Sequence, residues 1–598
     1  MRPMAADQPT VPLAEGIEHD LAEWEKATAA VLRKTRRVAD DAPDSDVWTA
    51  LSTTTLDGLS IAPLGTSDLV ADLPEIGLPG EAPYTRGSGT GDPELTGWDI
   101  RGWFTDPATT PEQVTTELEN GGNSLWLSVG ERGIALDRLP ALLEPVFLDL
   151  APVVLDCPED PVAAAEAYLE VCRDKGTDPH PLSNLGATGA DLDSVVRVAT
   201  LAKEAGVRGV VVDASRLHDR GASDVQELAW SMMVAVTYLR ALEAAGFTLD
   251  EAAGQLEFRY AATDEQFPTI AKLRAARALW NRVGEISGIG EAARAQRQHA
   301  VTSRPMMARY DSYTNMLRTT IAGFAAGVGG ADAVTILPFD EPLGLPTPFS
   351  RRIARNTSSL LIHESHVAKV VDPAGGSYAV EKLTDDLAMA SWELFAELDG
   401  LDELEGVADL DAAAERIEPL VEAVRADRAL QIAQRRRPIT GVSEFPNPAE
   451  SLPERAPYPV EPDVFRYAGE FEQMRDEPSP HPVFLATMGP IAAHTARATF
   501  AINLLAAGGI GVGASGATAG VDEVVEKYRE AGAPPVVCLA GTDPVYAEWG
   551  ADLVTALRGN GARYVVVAGK ADLGQDASAA MGLDALAFLR GLREELQK

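Results

Sequence analysis

Residues 331–384 read ADAVTILPFDEPLGLPTPFSRRIARNTSSLLIHESHVAKVVDPAGGSYAVEKLT and carry the strongest fold signal in the 598-residue chain. The stretch includes AVTIL at 333–337, a short apolar run with β-branched residues. A run of this kind is typical of a strand that is buried on both faces of a parallel sheet. The segment therefore predicts one strand of an α/β sheet whose other strands lie upstream.

Further short apolar runs precede this strand, and long helical patterns separate several of them. The runs lie at 124–129, 151–156, 208–213, 256–262 and 299–303. The clearest helical patterns cover 224–245 and 267–286. Alternation of this length predicts a parallel sheet with right-handed crossovers. Eight such units need roughly 250 residues, so we expect an N-terminal (β/α)8 TIM barrel over 98–437, including outer helices at 401–437.

The remaining sequence divides into an arm, a linker and a second α/β unit. Residues 1–97 combine a helical pattern at 15–38 with an extended arm rich in Pro, Gly, Asp and Thr. Residues 438–482 carry many prolines, which predicts a stiff linker. Residues 483–598 predict a flavodoxin-like, doubly wound domain. Its expected strands lie at 483–488, 509–515, 535–541 and 563–569, with helices at 492–507, 521–531 and 544–558.

Composition excludes several classes of protein. A formal net charge of -39 argues against a nucleic-acid-binding surface, because phosphate contacts need clustered Lys and Arg. Cys157, Cys172 and Cys538 form no C-x-x-C pair and fit a reducing compartment. The first residues lack an apolar signal core, and no apolar stretch approaches the ~20 residues of a membrane helix. We expect a cytoplasmic protein that binds neither nucleic acid nor membrane.

The stretch 331–384, extended upstream by TSRPMMARYDSYTNMLRTTIAGFAAGVGG at 302–330, resembles the barrel domain of methylmalonyl-CoA mutase, a coenzyme-B12 enzyme. APYTRG at 82–87 matches an arm segment of that family, and the resemblance continues to the C-terminus. It implies a TIM barrel followed by a cobalamin-binding-type domain. The implied reaction interconverts (R)-methylmalonyl-CoA and succinyl-CoA through adenosylcobalamin radical chemistry.

The cobalt-binding motif of the family is altered in this chain. Active mutases carry D-x-H-x-x-G after the first strand of the C-terminal domain, and the His binds cobalt. Here MGPIAAHTA starts at Met488 and places Ile491, Ala493 and Ala496 at the three motif positions. His494 follows one residue late, a rotation of about 100° on a helix. We expect His494 to be a surface or capping residue, with cobalt ligation left as an alternative.

Two further cobalamin elements of the family are also substituted. The S-x-L element, which lines the slot for the nucleotide tail, reads Val537-Cys538-Leu539. The Gly-Gly element reads Gly569-Lys570. Because three elements are lost together, the resemblance implies a sheet that is retained without its cobalamin site.

The barrel motifs of the active family are substituted as well. The Tyr that assists cobalt–carbon cleavage corresponds to Trp103, which has no hydroxyl group. The Tyr-His pair, whose His binds the substrate carbonyl, corresponds to Ser215 and Arg216, with His218 two residues later. The family run G-T-I-Q-N-D has no clear counterpart, and 183–194 is the nearest segment.

Other patterns are weak candidates for chemistry. His363 and His366 are spaced i, i+3 on a helical pattern, which favours a polar helix face over a metal site. A G-x-G-x-x-G run at Gly511, Gly513 and Gly516 is weak evidence for dinucleotide binding. Cys538 lies in an apolar run and is expected to belong to a core.

The substitutions match the small subunit of a heterodimeric mutase. On this interpretation the chain holds no catalytic, cofactor-binding or metal-binding residue. Adenosylcobalamin and the acyl-CoA substrate belong to a large subunit, which the arm at 39–97 embraces. Two alternatives stay open. One is a self-sufficient acyl-CoA mutase that uses His494 and His218, and the other is a non-enzymatic module that binds acyl-CoA or another partner.

Overall fold

The computed structural model describes residues 20–89, 97–399 and 410–598, and its first element is a small helical hairpin. The hairpin contains α1 (Leu21–Lys34) and α2 (Val47–Leu51). Asp20 begins α1 by accepting a hydrogen bond from the backbone N–H of Glu23, as an N-cap carboxylate does. Trp24 packs on Trp48 with ring centroids 4.8 Å apart. The hairpin core comprises buried residues distinct from those of the barrel core, namely Ala29, Leu32, Val38 and Val47.

An extended arm follows the hairpin and runs over the outside of the chain's own barrel. It starts with the antiparallel strands β1 (Thr53–Thr54) and β2 (Ser60–Ile61). Further along, the buried Arg277 donates from Nε to the Tyr84 carbonyl and from Nη2 to the Thr85 carbonyl, both at 3.0 Å. Arg86 pairs with the buried Asp372 at 2.9 Å. These contacts fix residues 84–86 against the barrel.

The centre of the molecule is a closed barrel of eight parallel strands, which confirms the expected TIM-barrel architecture. Six strands coincide with the apolar runs of the sequence. The closing strand lies in AVTIL and pairs with the first barrel strand, as a TIM barrel requires. The barrel strands are β3 (Asp99–Phe104), β4 (Ser124–Ser128), β5 (Val153–Asp156), β6 (Asn184–Ala187), β7 (Arg208–Asp213), β8 (Leu256–Ala262), β9 (Gln298–Thr302) and β10 (Ala333–Thr335).

Two barrel strands were not recognised as strands in the sequence. β3 alternates in polarity because Arg101 and Trp103 point into the barrel, where their polar groups find partners. β6 has only four residues, including Asn184 and Gly186. Neither strand forms the continuous apolar run that is typical of a buried parallel strand.

Helices surround the barrel, and the two clearest predicted helices are confirmed at α8 and α10. The helices that follow the hairpin up to the linker are α3 (Pro111–Glu119), α4 (Leu139–Leu142), α5 (Pro161–Lys175), α6 (Leu192–Ala205), α7 (Ser215–Asp219), α8 (Asp224–Ala244), α9 (Leu249–Gly254), α10 (Gln266–Ser287), α11 (Asn315–Val328), α12 (Pro348–Ser359), α13 (Tyr378–Asp399) and α14 (Leu410–Ala433). The helix expected from residue 401 is described only from Leu410 onward.

The C-terminal part is a five-stranded parallel sheet with helices on both faces. Its strand order is β12-β11-β13-β14-β15. Leu504 and Leu589 pack on one face, and Val524 and Leu553 pack on the other. The elements are α15 (Gly469–Asp476), β11 (Val483–Thr487), α16 (Ile491–Ala507), β12 (Val512–Ala514), α17 (Val521–Glu530), β13 (Val536–Ala540), α18 (Asp543–Gly559), β14 (Tyr564–Ala568), β15 (Ala577–Ala579) and α19 (Ala585–Gln597).

Among the described helices, none combines the length and the apolar composition needed to cross a bilayer.

Candidate functional site

The axis of the barrel is occupied by side chains of the chain itself, beginning with a buried ion pair. Arg101 on β3 donates to Glu257 on β8 at 2.7 Å, and both side chains are fully buried. Arg297 contacts the second oxygen of Glu257 at 3.2 Å. Burial alone would raise the pKa of Glu257, but the charges of Arg101 and Arg297 lower it to about 2. This carboxylate is therefore ionised and paired on both sides.

A second layer places an aromatic and cationic stack across the axis. The Arg259 guanidinium lies 4.2 Å from the ring centroid of Trp126 and pairs with Asp213 at 2.8 Å. Its Nε donates to His299 Nδ1 at 3.1 Å, so His299 Nε2 carries the proton that is donated to Thr335 Oγ1 at 2.8 Å. Burial, and then the charges of Arg101 and Arg259, lower the pKa of His299 well below its ordinary value. The imidazole is neutral and already has two partners.

Trp103 fills the mouth of the barrel at the carboxyl ends of the strands. It is 8% exposed, and its ring centroid lies 5.8 Å from that of Trp126. The indole Nε1 donates to Ser128 Oγ at 3.1 Å. The Arg304 guanidinium lies 5.0 Å from the ring centroid. The position that corresponds to a Tyr in active mutases is thus a packed indole with its N–H group satisfied.

The Pro-rich linker covers this mouth. Tyr458 lies 6.0 Å from Trp103, centroid to centroid, and its hydroxyl donates to the Glu341 carbonyl at 3.1 Å. The backbone N–H of Phe465 donates to the Asp219 carbonyl at 2.7 Å, and that of Tyr467 to the Pro305 carbonyl at 3.1 Å. The segment 458–467 therefore crosses loops that follow three different barrel strands.

The residues at the predicted Tyr-His position are paired with carboxylates of the chain. Ser215 Oγ donates to Asp213 at 2.6 Å. Arg216 pairs with Asp156 at 2.9 Å and with Asp213 at 3.2 Å. The Ser215 hydroxyl and the Nε and Nη2 groups of Arg216 are thus engaged by carboxylates of the chain.

His218 lies in a buried cluster beside the barrel wall. Its Nε2 is 2.7 Å from Ser303 Oγ, and its Nδ1 is 3.8 Å from Glu227, which pairs with Lys272 at 2.6 Å. Burial, with the charges of Lys272 and Arg428, lowers its pKa well below the ordinary value. His218 is therefore a neutral core residue. The nearest segment to the missing G-T-I-Q-N-D run, 183–194, supplies barrel strand β6.

At the C-terminal sheet, the motif positions lie at the turn from β11 into α16. Ile491, at the Asp position, is 69% exposed. His494 is 8% exposed, and its Nδ1 donates to the Gly489 carbonyl at 3.2 Å. The structure corrects the expected surface location of His494, because the first turn of α16 folds its ring back onto the β11 turn.

The slot between the ends of β13 and β14 is filled by Tyr546. Its hydroxyl is 3.0 Å from the Leu539 carbonyl and 2.9 Å from the Ala568 carbonyl, and it accepts from the Gly541 N–H at 3.0 Å. The Arg497 guanidinium covers the Tyr546 ring at 4.8 Å. A Cβ at Gly569 would lie 3.2 Å from that guanidinium. Cys538 is buried in β13, as expected for a core residue.

These residues do not fit a cobalamin on this chain. A histidine ligand would have to point out of the sheet, whereas the Nδ1 group of His494 is turned onto the backbone of its own loop. The nucleotide tail would need the slot that Tyr546 and Arg497 occupy. No step of a reaction is therefore assigned to a cofactor bound here.

The weaker sequence candidates do not assemble into sites. His363 lies in a π-helical turn at Leu360–Glu364, whereas His366 lies beyond the helix with φ 54°, so the expected shared helix face does not exist. Among the described residues, no group of three or more His, Cys, Asp and Glu side chains could hold a metal ion. Gly513 lies inside the edge strand β12 instead of the turn that a dinucleotide fingerprint occupies.

Sequence reasoning missed the residues that fill the two entrances. Tyr458 lies in a Pro-rich segment that reads as a connection, and Tyr546 lies in an amphipathic helix. The available signal was an aromatic residue at a substituted motif position of the barrel. Trp103 carried that signal at the barrel mouth.

Comparison with known proteins identifies a consistent set of relatives. A family model described as methylmalonyl-CoA mutase matches residues 194–531. A protein named methylmalonyl-CoA mutase small subunit from Streptomyces virginiae is 44% identical, with 95% of each chain covered. The protein of that name from Propionibacterium freudenreichii subsp. shermanii is 37% identical over 93% of this chain and 90% of its own. A protein named methylmalonyl-CoA mutase from Rhizobium meliloti is 29% identical over 64% of this chain and 58% of its own.

Proposed function

The chain belongs to the methylmalonyl-CoA mutase family, among proteins named its small subunit, and we propose that it is the non-catalytic subunit of a heterodimeric mutase. A large subunit then binds adenosylcobalamin and interconverts (R)-methylmalonyl-CoA and succinyl-CoA. The present chain contributes a folded surface on which that subunit assembles. Duplicated chains commonly keep such an interface after one copy loses its site.

One observation carries this proposal: both places where ligands enter the family fold are filled by the chain's own side chains. The barrel axis holds Trp103, Trp126 and Arg259, and each has a partner within the barrel. The sheet slot holds Tyr546 with three hydrogen-bond contacts. Opening either place would leave buried polar groups without partners, which is costly.

The same observation weighs against both alternatives. A self-sufficient mutase would need His494 and His218 to reach the cofactor and the substrate, but both rings are buried and bonded within the chain. A module that takes a pantetheine arm through the barrel would need to displace Trp126 and its stacked Arg259. The small-subunit function requires neither change.

The proposal extends to the organisation of the chain. Strand order β12-β11-β13-β14-β15 corresponds to 2-1-3-4-5, which supports a flavodoxin-like domain at 483–598 that derives from a cobalamin-binding unit. The arm at 1–97, the barrel domain at 98–437 and the linker at 438–482 complete the proposed division. We also place the heterodimer in the cytoplasm.

A spectroscopic experiment tests the proposal. The purified chain is incubated with adenosylcobalamin, desalted, and examined by its visible spectrum, and the same is done after mixing with the large subunit. We expect no retained corrin absorbance with the chain alone and both absorbance and mutase turnover with the mixture. Stoichiometric corrin on the chain alone would overturn the proposal.

A matched variant distinguishes the proposed subunit from a rebuilt mutase. His494→Ala should leave turnover of the mixture unchanged, because the ring is hydrogen-bonded within its own turn. Loss of corrin absorbance in that variant, with the fold intact by circular dichroism, would instead assign cobalt ligation to His494.

A further inference from the structure

A polar cavity of about 470 Å³ lies where the Pro-rich linker meets the barrel and the C-terminal part. Its walls come from the end of α7, from α14, from linker residues 463–466 and from the start of α15. Arg220, Arg425 and Arg466 line it. These three guanidinium groups border one cavity in a chain where 90 acidic residues outnumber 51 basic ones. We call this feature the linker cavity.

Two of the three guanidinium groups contain buried donors that have no acceptor. The Nη1 group of Arg466 and the Nε group of Arg425 are both buried, and neither has a hydrogen-bond partner among the described residues. Glu472, whose charge Arg466 also influences, accepts instead from the backbone N–H of Arg309 at 2.6 Å. Buried polar groups in proteins are nearly always hydrogen-bonded, because an unpaired one loses its hydration without compensation. Two such donors at one cavity point to an acceptor that comes from outside the chain.

Two carboxylates also line the linker cavity, and each has another partner. Glu470 pairs with Arg590. Asp463 is 91% exposed and lies 3.9 Å from the Nε group of Arg220. Neither carboxylate accepts a hydrogen bond from Arg466 Nη1 or from Arg425 Nε. The lining therefore leaves these two donors available.

Two further carboxylates, both on α14, hold the other arginines in place. Glu418 pairs with Arg220, and Glu422 pairs with Arg425 Nη1 at 3.0 Å. The Arg425 guanidinium also lies 4.7 Å from the ring centroid of Phe465. Arg425 is thus held on one edge and one face, while its Nε group stays unpaired.

A phosphate group has the chemistry that these donors require. Guanidinium groups bind phosphate oxygens through paired N–H donors, and such charge-assisted hydrogen bonds are strong. α15 starts at the same cavity with Gly469, and its N-cap residue Ala468 provides no side-chain acceptor. The first backbone N–H groups of a helix favour anions and add to the guanidinium donors. The volume falls within the roughly 300–1,000 Å³ of small-molecule sites, so an organic phosphate fits as well as free phosphate.

We propose that the linker cavity binds a phosphate group, free or as the ester of a small organic molecule, through Arg466 and Arg425. Arg466 belongs to the linker, Arg425 to α14, and Gly469 begins α15, so the anion joins three segments. Next to the cavity, the Phe465 N–H donates to the Asp219 carbonyl and attaches the linker to the barrel. Bound phosphate therefore stabilises the linker in its place over the barrel mouth. This site is independent of the large subunit.

Calorimetric titration of the full chain with sodium phosphate, at constant ionic strength set by sodium chloride, tests the site. We expect saturable binding that chloride does not produce. Arg466→Gln should raise the phosphate Kd at least tenfold, because it removes the charge and the paired donors. Arg197→Gln, at an exposed guanidinium on α6, is the control and should leave the Kd within twofold. Phosphate should raise the unfolding temperature of the wild type and not that of Arg466→Gln.

Adenosine monophosphate as a second probe distinguishes the two sources of phosphate. Tighter binding than free phosphate would support an organic ester, and equal or weaker binding would support the free anion, provided that Arg466→Gln weakens both. Arg466→Lys keeps the charge and loses the paired donors, so it should still raise the Kd if the Gln variant does not fold. Binding of neither probe to the wild type, or the same Kd in the folded variants as in the wild type, would overturn the inference.

Discussion

The barrel axis and the C-terminal sheet are closed by different kinds of interaction. In the barrel, buried ion pairs and stacked aromatic rings extend over several layers, from Arg101–Glu257 to Trp103. In the sheet, one tyrosine hydroxyl bridges two strand ends beneath a single guanidinium. The barrel closure is a connected network, so removing one member leaves charges without partners. The sheet closure depends on two side chains, so a single conservative substitution should measurably lower its stability.

The largest effect is expected from Glu257→Ala in the barrel. The change leaves Arg297 and one side of Arg101 buried without their shared carboxylate, and should lower the free energy of unfolding by about 3–5 kcal/mol. Urea unfolding followed by tryptophan fluorescence measures it. Glu166→Ala, which breaks an exposed pair with Arg197, should cost about 0–1 kcal/mol. Equal costs for the two variants would contradict a cooperative barrel network.

The stability of the barrel should depend on pH near neutrality, whereas the closure of the C-terminal sheet should not. Burial, with Glu341 nearby, raises the pKa of Asp219 to about 7 against the opposing charge of Arg304. The folded barrel therefore holds this proton more tightly than the unfolded chain. Its contribution to stability is full below the ordinary pKa near 4 and is lost as pH rises through 7. Asp219 should therefore favour the folded barrel more at pH 6.5 than at pH 8, by at most ~1.4 kcal/mol per pH unit.

The buried histidines act in the opposite direction at the lower end of this pH window. His218 and His299 are held neutral, so they oppose folding as pH falls towards and through their ordinary pKa near 6.5. Asp219→Asn leaves these histidines in place, so it should lower the unfolding midpoint at pH 6.5, relative to that at pH 8, compared with the wild type. Tyr546 should contribute nothing over this range, because burial raises its pKa to about 12. An unchanged difference in the Asn variant would rule out a contribution from Asp219.

Tyr546→Phe probes the sheet closure with a smaller effect. The variant keeps the ring but leaves the Gly541 N–H without its acceptor, which should cost about 1–3 kcal/mol. Tyr313→Phe, at a ring that is 62% exposed, serves as the control and should be nearly neutral. Neither variant should retain cobalamin after desalting. Retention of cobalamin by Tyr546→Phe would mean that the Tyr546 hydroxyl alone closes the slot.

The sequence predicted the framework better than the features that close it. The run AVTIL and its companions located six of eight barrel strands, because buried parallel strands are predominantly apolar. β3 and β6 escaped this rule because Arg101 and Asn184 bond inside the barrel. The substituted motifs around Trp103 and Ile491 could be recognised in the sequence position by position. The sequence did not predict that Tyr458 and Tyr546 fill the two entrances, because their contacts join residues far apart in the chain.

The smallest effect is expected at Trp103, one of the positions where the barrel differs from active mutases. Trp103→Tyr restores the phenol of the active family, but its hydroxyl would meet Ser128 inside a filled barrel. We expect a loss of about 1 kcal/mol from the changed hydrogen bond and packing, measured by urea unfolding. Mutase activity of the chain without the large subunit should stay undetectable. Measurable turnover would show that the remaining substitutions do not abolish the chemistry, and it would contradict the non-catalytic role.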